Sequence, residues 1–226
     1  MTEQTRLDLA TRPAVGREDF IVTESNALAV AIVDGWRSWA GRKLILAGPE
    51  GSGKSHLAQA WATESGATVI AAASLAQSDI PALATGCVVV EDVDDLNHQR
   101  PAEEALFHLH NLVLAEGHAL MLTAQRPPKL WRLDLPDLQS RMQGTQVVQL
   151  GAPDDLLLAS VLERLLKARL IVPKPDVLPY LVAHMDRSFA MAARLAEALD
   201  QESMDQRCEV TRIFARNVLL RLQAES

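Results

Sequence analysis

Gly48-Pro49-Glu50-Gly51-Ser52-Gly53-Lys54-Ser55 fits the pattern G-x-x-x-x-G-K-[ST], and its reading decides the fold. The apolar run Lys43-Leu44-Ile45-Leu46-Ala47 leads into it. A good helix former, His56-Leu57-Ala58-Gln59-Ala60-Trp61-Ala62, follows it. Strand, glycine-rich turn and helix in that order are the setting in which this pattern binds phosphate. Glycines let the backbone curl so that successive N–H groups point inward at phosphate oxygens. A helix starting near Lys54 adds the positive end of its dipole. In that arrangement Lys54 neutralises the β- and γ-phosphates, and Ser55 offers its hydroxyl to Mg²⁺.

Outward from the loop, strands and helices alternate. After the strand at 43–47, Thr68-Val69-Ile70-Ala71-Ala72 reads as a second strand and Cys87-Val88-Val89-Val90 as a third. Ala119-Leu120-Met121-Leu122-Thr123 reads as a fourth, and Val147-Val148-Gln149-Leu150 as a fifth. Alternation from 43 to 150 argues for a wound parallel sheet. Upstream, Ser25 is placed to cap a helix from Asn26 to about Trp39. Helices are expected from the loop to about Ser65, over 79–84, 101–116 and 135–142, with a short helix at Lys129–Arg132. The third strand ends in Glu91-Asp92-Val93-Asp94-Asp95. Acid groups at the carboxyl end of a parallel strand lie beside the phosphate loop. One carboxylate there holds Mg²⁺ and one orients or deprotonates water. Asp94 and Asp95 read as surface or cap residues. Gln125, at the end of the fourth strand, reads equally as a γ-phosphate contact or a turn residue.

After Gly151-Ala152-Pro153 the strand pattern stops. Helices are expected over 156–168, 176–184, 188–202 and 210–222, as a small bundle ending the α/β region. At the other end, residues 1–15 read as a tail. Gln4, Leu7 and Leu9 space three anchors along an extended peptide able to dock in an apolar groove. On spacing alone, an end without a partner is the simpler reading.

Composition excludes several classes. With 226 residues, 48% hydrophobic and 23% charged, the chain is an ordinary globular protein of one large domain or a domain with an appendage. No apolar run approaches a membrane span, and Met1-Thr2-Glu3-Gln4-Thr5-Arg6 lacks the apolar core of a secretory signal. Cys87 and Cys208 lie far apart and read as reduced residues of a cytoplasmic protein. A net charge of −7 and the lack of an evident basic patch favour protein partners and a nucleotide over a DNA duplex. The six histidines form no metal spacing, and His108 and His110 point to different faces of a helix.

Taken together these segments resemble AAA+ ATPases: a five-stranded parallel α/β sheet with a phosphate loop and a small C-terminal α-helical lid. The closer resemblance is to the DnaA family, and within it to its short Hda-like members. Phe20-Ile21-Val22-x-x-Ser25-Asn26-x-x-Ala29 resembles the start of the family's nucleotide domain. Gly48 to Ser55 followed by His56-Leu57 resembles its phosphate loop. Leu122-Thr123-Ala124-Gln125-Arg126-Pro127-Pro128 resembles the end of its fourth strand. Leu135 to Arg141 resembles the segment bearing its arginine finger, with Arg141 at the finger position. Gln4-x-x-Leu7-Asp8-Leu9 is similar to the family's clamp-binding peptide.

The resemblance implies a tail at 1–15, a nucleotide-binding base at 16–151 and a lid at 152–226. It implies ADP or ATP with Mg²⁺, held by Phe20, Val22, the loop Gly48, Pro49, Glu50, Gly51, Ser52, Gly53, Lys54 and Ser55, and His56. Ser55 and Glu91 take the metal, and Asp92 and Gln125 serve the chain's own hydrolytic centre. It implies a cytoplasmic regulator of replication initiation that binds the polymerase sliding clamp through Gln4, Leu7, Asp8 and Leu9. That regulator stimulates hydrolysis of DnaA-bound ATP through Arg141, with self-association also admitted and no sequence-specific DNA contact. The chain stops where the lid ends, without the DNA-binding domain of DnaA. It also departs from the family. The third strand ends in Glu91-Asp92 rather than two aspartates, Asp92 is shorter than the glutamate most AAA+ ATPases use as base, Gln125 replaces an aspartate, and the lid arginine falls at Ala190, with Arg187 and Arg194 nearby. These departures predict weak hydrolysis by the chain itself. The competing readings are a self-active AAA+ ATPase, such as a helicase loader or remodeller, and a P-loop kinase of small molecules.

Overall fold

The computed structural model describes residues 21–96, 98–206 and 208–224. Phe20 and the tail residues Gln4, Leu7, Asp8 and Leu9 lie outside them. Five parallel strands, β1 Lys43–Ala47, β2 Thr68–Ala71, β3 Val88–Glu91, β4 Leu120–Ala124 and β5 Gln146–Gln149, form a sheet in the order β2-β3-β4-β1-β5. Among the described residues the α-helices are α1 Ala27–Asp34, α2 Lys54–Ser65, α3 Ile80–Leu83, α4 Arg100–Ala115 and α5 Pro136–Gln143. They continue with α6 Asp155–Ala168, α7 Val177–His184, α8 Phe189–Gln206 and α9 Arg212–Ala224.

The strands are apolar on both faces because both faces are covered. Ile45, Val88, Val90, Leu120 and Leu122 point to one side and pack on Leu106 and Leu109 of α4 and Leu138 and Met142 of α5. Their neighbours Leu44, Leu46, Val89, Met121 and Val148 point to the other side. There they meet Val30 and Val33 of α1 and Leu57 and Trp61 of α2. This is the two-residue period of a strand read from its packing. Each such fully buried side chain contributes about 1.5–3 kcal/mol. β1 pairs Lys43 with Leu120 and Ala47 with Ala124, so both strands deliver their loops to one edge.

Three local expectations differ from the structure. The first helix ends at Asp34 rather than near Trp39, and Trp36–Ser38 is a 3-10 turn. The turn carries Trp39 inward, where its ring lies 5.2 Å from that of Trp61 and its Nε1 donates to Ile32 O at 2.8 Å. A straight helix would carry that ring away from the core. Ser25 is not the cap. Its hydroxyl pairs with that of Thr23 at 2.9 Å, and Asn26 takes the cap position, its Oδ1 accepting the Thr23 N–H at 2.9 Å. The short helix expected at Lys129–Arg132 is a 3-10 turn over Pro128–Leu130.

The helical C-terminal part has a core of its own. Leu158, Leu162 and Leu166 of α6 recur every fourth residue and meet Leu181, Leu195, Leu199 and Val218. Asp154 caps α6, accepting the Leu157 N–H at 2.7 Å, and also accepts the Thr23 hydroxyl at 2.9 Å. Leu150 N–H donates to Ala47 O at 2.8 Å, so the chain leaves β5 beside the phosphate loop.

Candidate functional site

The loop between β1 and α2 has the geometry its glycines permit. Gly51 and Gly53 have φ of 72° and 94°, a region costly to side-chain-bearing residues. A Cβ on Gly48 would stand 2.3 Å from Leu150 O. The loop delivers the N-terminus of α2, whose first N–H groups have no partner within the helix. Lys54 is 7% exposed, and its Nζ donates to Gly48 O at 2.8 Å and Pro49 O at 2.9 Å. The ammonium is therefore held inside the curl of the loop. Burial lowers its pKa, and the charges of Asp92, Asp94 and Glu50 partly offset that effect. Ser52 Oγ is buried with no hydrogen-bond partner. A buried hydroxyl of that kind is expected where a ligand completes the bonding.

The loop opens on a cavity of about 450 Å³, within the usual range for small-molecule sites. Glu50, Gly51, Gly53, Lys54, Ser55 and His56 line its floor, Asp92, Asp95 and Gln125 one wall, and Phe189, Ala190 and Ala193 of α8 the roof. Gly48, Pro49 and Ser52 form the loop without lining the cavity. Asp92, at φ 58°, sits where β3 ends, and its N–H donates to Thr123 Oγ1 at 3.1 Å. Partial burial and then the charges of Glu91 and Asp95 push its pKa up, against the pull of Lys54. Among the described residues, no cluster of three or more His, Cys, Asp or Glu side chains is arranged to hold a metal by itself. A Mg²⁺ carried by phosphate oxygens needs only one or two protein ligands besides water. Ser55 and Asp92 face one cavity and fit that need, whereas Glu91 is half-buried and stands outside the lining.

Several expected residues fall elsewhere. Val22 is 47% exposed and does not line the cavity. Arg187 pairs with Asp155 Oδ1 at 2.6 Å and donates to Pro153 O at 3.4 Å, so it braces the start of α6 rather than the roof. Arg194 lines a different cleft, between α8 and α9. Lys54 is the one Lys or Arg lining the cavity among the described residues.

Two acids read as surface residues belong to the site. Asp95 lines the cavity. Asp94 is 6% exposed and accepts the N–H groups of Gln125 at 3.0 Å and Arg126 at 3.2 Å. It therefore fixes the end of β4 on which Gln125 stands. Phe189 was also missed. Its N–H donates to Gly51 O at 3.1 Å, and its ring stacks on His56 with centroids 6.4 Å apart. A Cβ on Gly51 would lie 2.4 Å from Ser188 Cβ. The start of α8 thus rests on the phosphate loop. Ser188, whose Oγ accepts the Met191 N–H at 3.1 Å, is the sequence signal that places this helix start.

Arg141 lies at the opposite edge of the sheet. Its carbonyl accepts from Lys43 Nζ at 3.3 Å, at the amino-terminal end of β1, and its guanidinium lies over the Phe107 ring at 4.9 Å. The residue is exposed. Beneath it, Lys43 Nζ stands 3.3 Å from Nε2 of the buried His110, whose Nδ1 is 3.3 Å from Asn111 Oδ1. Lys43 donating to Nε2 leaves the proton on Nδ1 for Asn111. Burial, followed by the charge of Lys43, lowers the His110 pKa to about 4.

The five-stranded parallel sheet, the loop and the helical roof make up a fold shared with solved domains of DnaA and of AAA proteins. Domain III of the replication initiation protein DnaA from Thermotoga maritima is 20% identical, with a TM-score of 0.78 over 92% of this chain and 96% of that one. AMPPCP-bound DnaA from Aquifex aeolicus is 21% identical, with a TM-score of 0.69 over 86% of this chain and 69% of that one. The FIGL-1 AAA domain in complex with ADP is 18% identical, with a TM-score of 0.68 over 90% and 83%. No family model matches the chain. No helix among the described residues is long and apolar enough to cross a membrane.

Proposed function

We propose that this chain binds an adenine nucleotide and regulates replication initiation. In this reading its N-terminal peptide holds it on the sliding clamp, and Arg141 completes the hydrolytic centre of ATP-loaded DnaA. The observation that carries the reading is the placement of Arg141. It is exposed at the amino-terminal edge of β1, while Lys54 follows the carboxyl end of the same strand. Five residues of strand separate the two edges by about 13 Å. Arg141 is exposed, lies over the Phe107 ring and takes no part in the lining of its own cavity, which leaves it accessible to a neighbour in this reading. An arginine supplied in trans offsets charge on a transferring phosphoryl group and is worth about 10³–10⁵ in rate. Two of the solved structures that share the fold carry AMPPCP or ADP, which supports an adenine nucleotide here. Lys54 and the loop N–H groups would hold its phosphates, and Ser55 and Asp92 its Mg²⁺.

Turnover of DnaA-bound ATP, with and without this protein and DNA-loaded clamp, tests the reading. Stimulation is expected, with Arg141→Ala abolishing it and leaving clamp binding intact. Leu7→Ala with Leu9→Ala is expected to abolish clamp binding. Stimulation that survives Arg141→Ala overturns the finger assignment.

One observation favours a second reading, a self-active ATPase. Asp92 faces the cavity with Lys54 and Ser55, and its raised pKa moves it toward the range a general base needs. Ala190 weighs against it, because the roof offers the phosphates no cation. A kcat of about 1–10³ s⁻¹ for the isolated protein would decide for the second reading.

A further inference from the structure

Arg141 stands near the end of α5 with its main chain pinned and its side chain laid on a ring. Leu138 and Met142 of the same helix are fully buried against the sheet. The Arg141 carbonyl accepts the Thr145 hydroxyl at 2.8 Å and Lys43 Nζ at 3.3 Å, so the end of α5 is tied to the start of β1. Lys43 Nζ in turn stands 3.3 Å from Nε2 of the buried His110 on α4. About one turn earlier on α4, the half-buried Phe107 packs on the same core. The Arg141 guanidinium lies over its ring, 4.9 Å from the ring centre.

A guanidinium stacks through its flat face, while its N–H groups lie in the plane and point outward. The ring therefore fixes the tilt of the plane and leaves the fork unspent. Among the described residues, no hydrogen-bond or ion-pair partner meets those N–H groups. Arg37 lies over Trp36 in a similar way, at 4.3 Å, but it also faces Glu64 Oε1 at 3.8 Å, so its charge is matched within the fold. At Arg141 the nearby charge is instead the like charge of Lys43, and their repulsion adds to burial in lowering the Lys43 pKa. Attraction to the ring and repulsion from the ammonium both narrow the rotamers open to Arg141.

We propose that Phe107 is a positioning residue for Arg141, presenting the guanidinium in one orientation before a partner arrives. The proposal rests on the reading of Arg141 as the arginine supplied to a partner's ATP. An arginine loses rotamer freedom when a phosphoryl group captures it, and one already narrowed by stacking loses less. An exposed stack of this kind shifts an equilibrium about two- to fivefold. The charge that Arg141 offsets develops in the transition state, so the gain falls on the hydrolysis rate and not on how tightly the partner docks.

Two measurements on the full chain test it, and the first needs no partner. In the NMR spectrum of the wild-type protein the Arg141 Hδ protons are expected upfield of ordinary arginine values, through the ring current of Phe107. Phe107→Leu is expected to return them to ordinary values. That substitution keeps an apolar side chain at the half-buried position, and unchanged binding of labelled ADP reports that the variant is folded. The second measurement is turnover of DnaA-bound ATP across a titration of this protein. Phe107→Leu is expected to lower the maximal stimulated rate about two- to fivefold and to leave the half-saturating concentration unchanged. Phe107→Tyr, which keeps the ring, is expected to restore the rate. Hδ protons that do not move in Phe107→Leu overturn the proposal whatever the turnover shows. Full stimulation by Phe107→Leu where Arg141→Ala gives none overturns it and leaves the reading of Arg141 intact. A faster rate with Phe107→Leu shows that the ring parks the guanidinium, and overturns it too. Stimulation that survives Arg141→Ala removes the reading, and the positioning role with it.

Discussion

Asp94→Ala is expected to destabilise the α/β part by about 3 kcal/mol. The side chain is buried and accepts two backbone N–H groups, those of Gln125 and Arg126. Hydrogen bonds to a charged acceptor contribute about 1.5–3 kcal/mol each. The contact to the Arg126 guanidinium, at 3.7 Å and half exposed, adds little. Removing one of several neighbouring carboxylates also relieves repulsion with Asp92, which holds the sum at its lower end. A chain of this size has a urea dependence of roughly 3 kcal/mol per molar, so the midpoint falls by about 1 M. Tryptophan emission is the assay. All four tryptophans, Trp36, Trp39, Trp61 and Trp131, belong to the α/β part, so the separate core of the helical part does not blur the transition. Trp131 donates to Arg126 O and reports the affected loop directly. Asp94→Asn keeps one acceptor oxygen and should lose about half as much. A midpoint shift below about 0.3 M for the alanine variant would show that water satisfies those N–H groups and would refute the assignment of Asp94 as the anchor of Gln125.

Other expectations follow from the same geometry. Lys54→Ala removes the single ammonium of the cavity and should weaken binding of labelled ADP about a hundredfold, read by fluorescence titration. Gly51→Ala forces a side chain into positive φ and against Ser188; about tenfold weaker ADP binding and faster hydrogen exchange in the first turn of α8 are expected. His110 titrates near 4 in the folded chain and near 6.5 when unfolded, so the unfolded state takes up more protons between those values. Its contribution is present above pH 6.5 and is lost as the pH falls toward 4. The wild-type protein should lose about 2 kcal/mol more between pH 7 and pH 5 than His110→Gln does, measured as the difference in urea midpoints.

The sheet was legible because its signals are local and redundant. Each strand is a short apolar run, the loop glycines announce the turn, and Gly66 and Gly117 end α2 and α4 at positive φ. The floor of the cavity followed from the loop pattern alone. Its roof did not. Phe189, Ala190 and Ala193 carry no motif, and they reach the loop only because α6 and α7 fold α8 back over it. Asp94 and Asp95 were misjudged for a related reason. Four acids within five residues look solvated in a sequence, and only the 3-10 turn over Val93–Leu96 shows that Asp94 points inward. The early end of α1 was hidden because the run to Trp39 fits a helix in sequence, and only the packing of the Trp39 ring on Trp61 shows that the chain turns first.

The separation of Arg141 from Lys54 across the sheet gives the molecule a direction. Any contact that brings the edge of one such fold against the opposite edge of another joins unlike surfaces and cannot be built on a two-fold axis. Every added unit leaves one guanidinium unspent at one terminus and one open cavity at the other. A row assembled in this way has a leading face and a trailing face, and a unit that arrives with only one of the two in working order stops its growth.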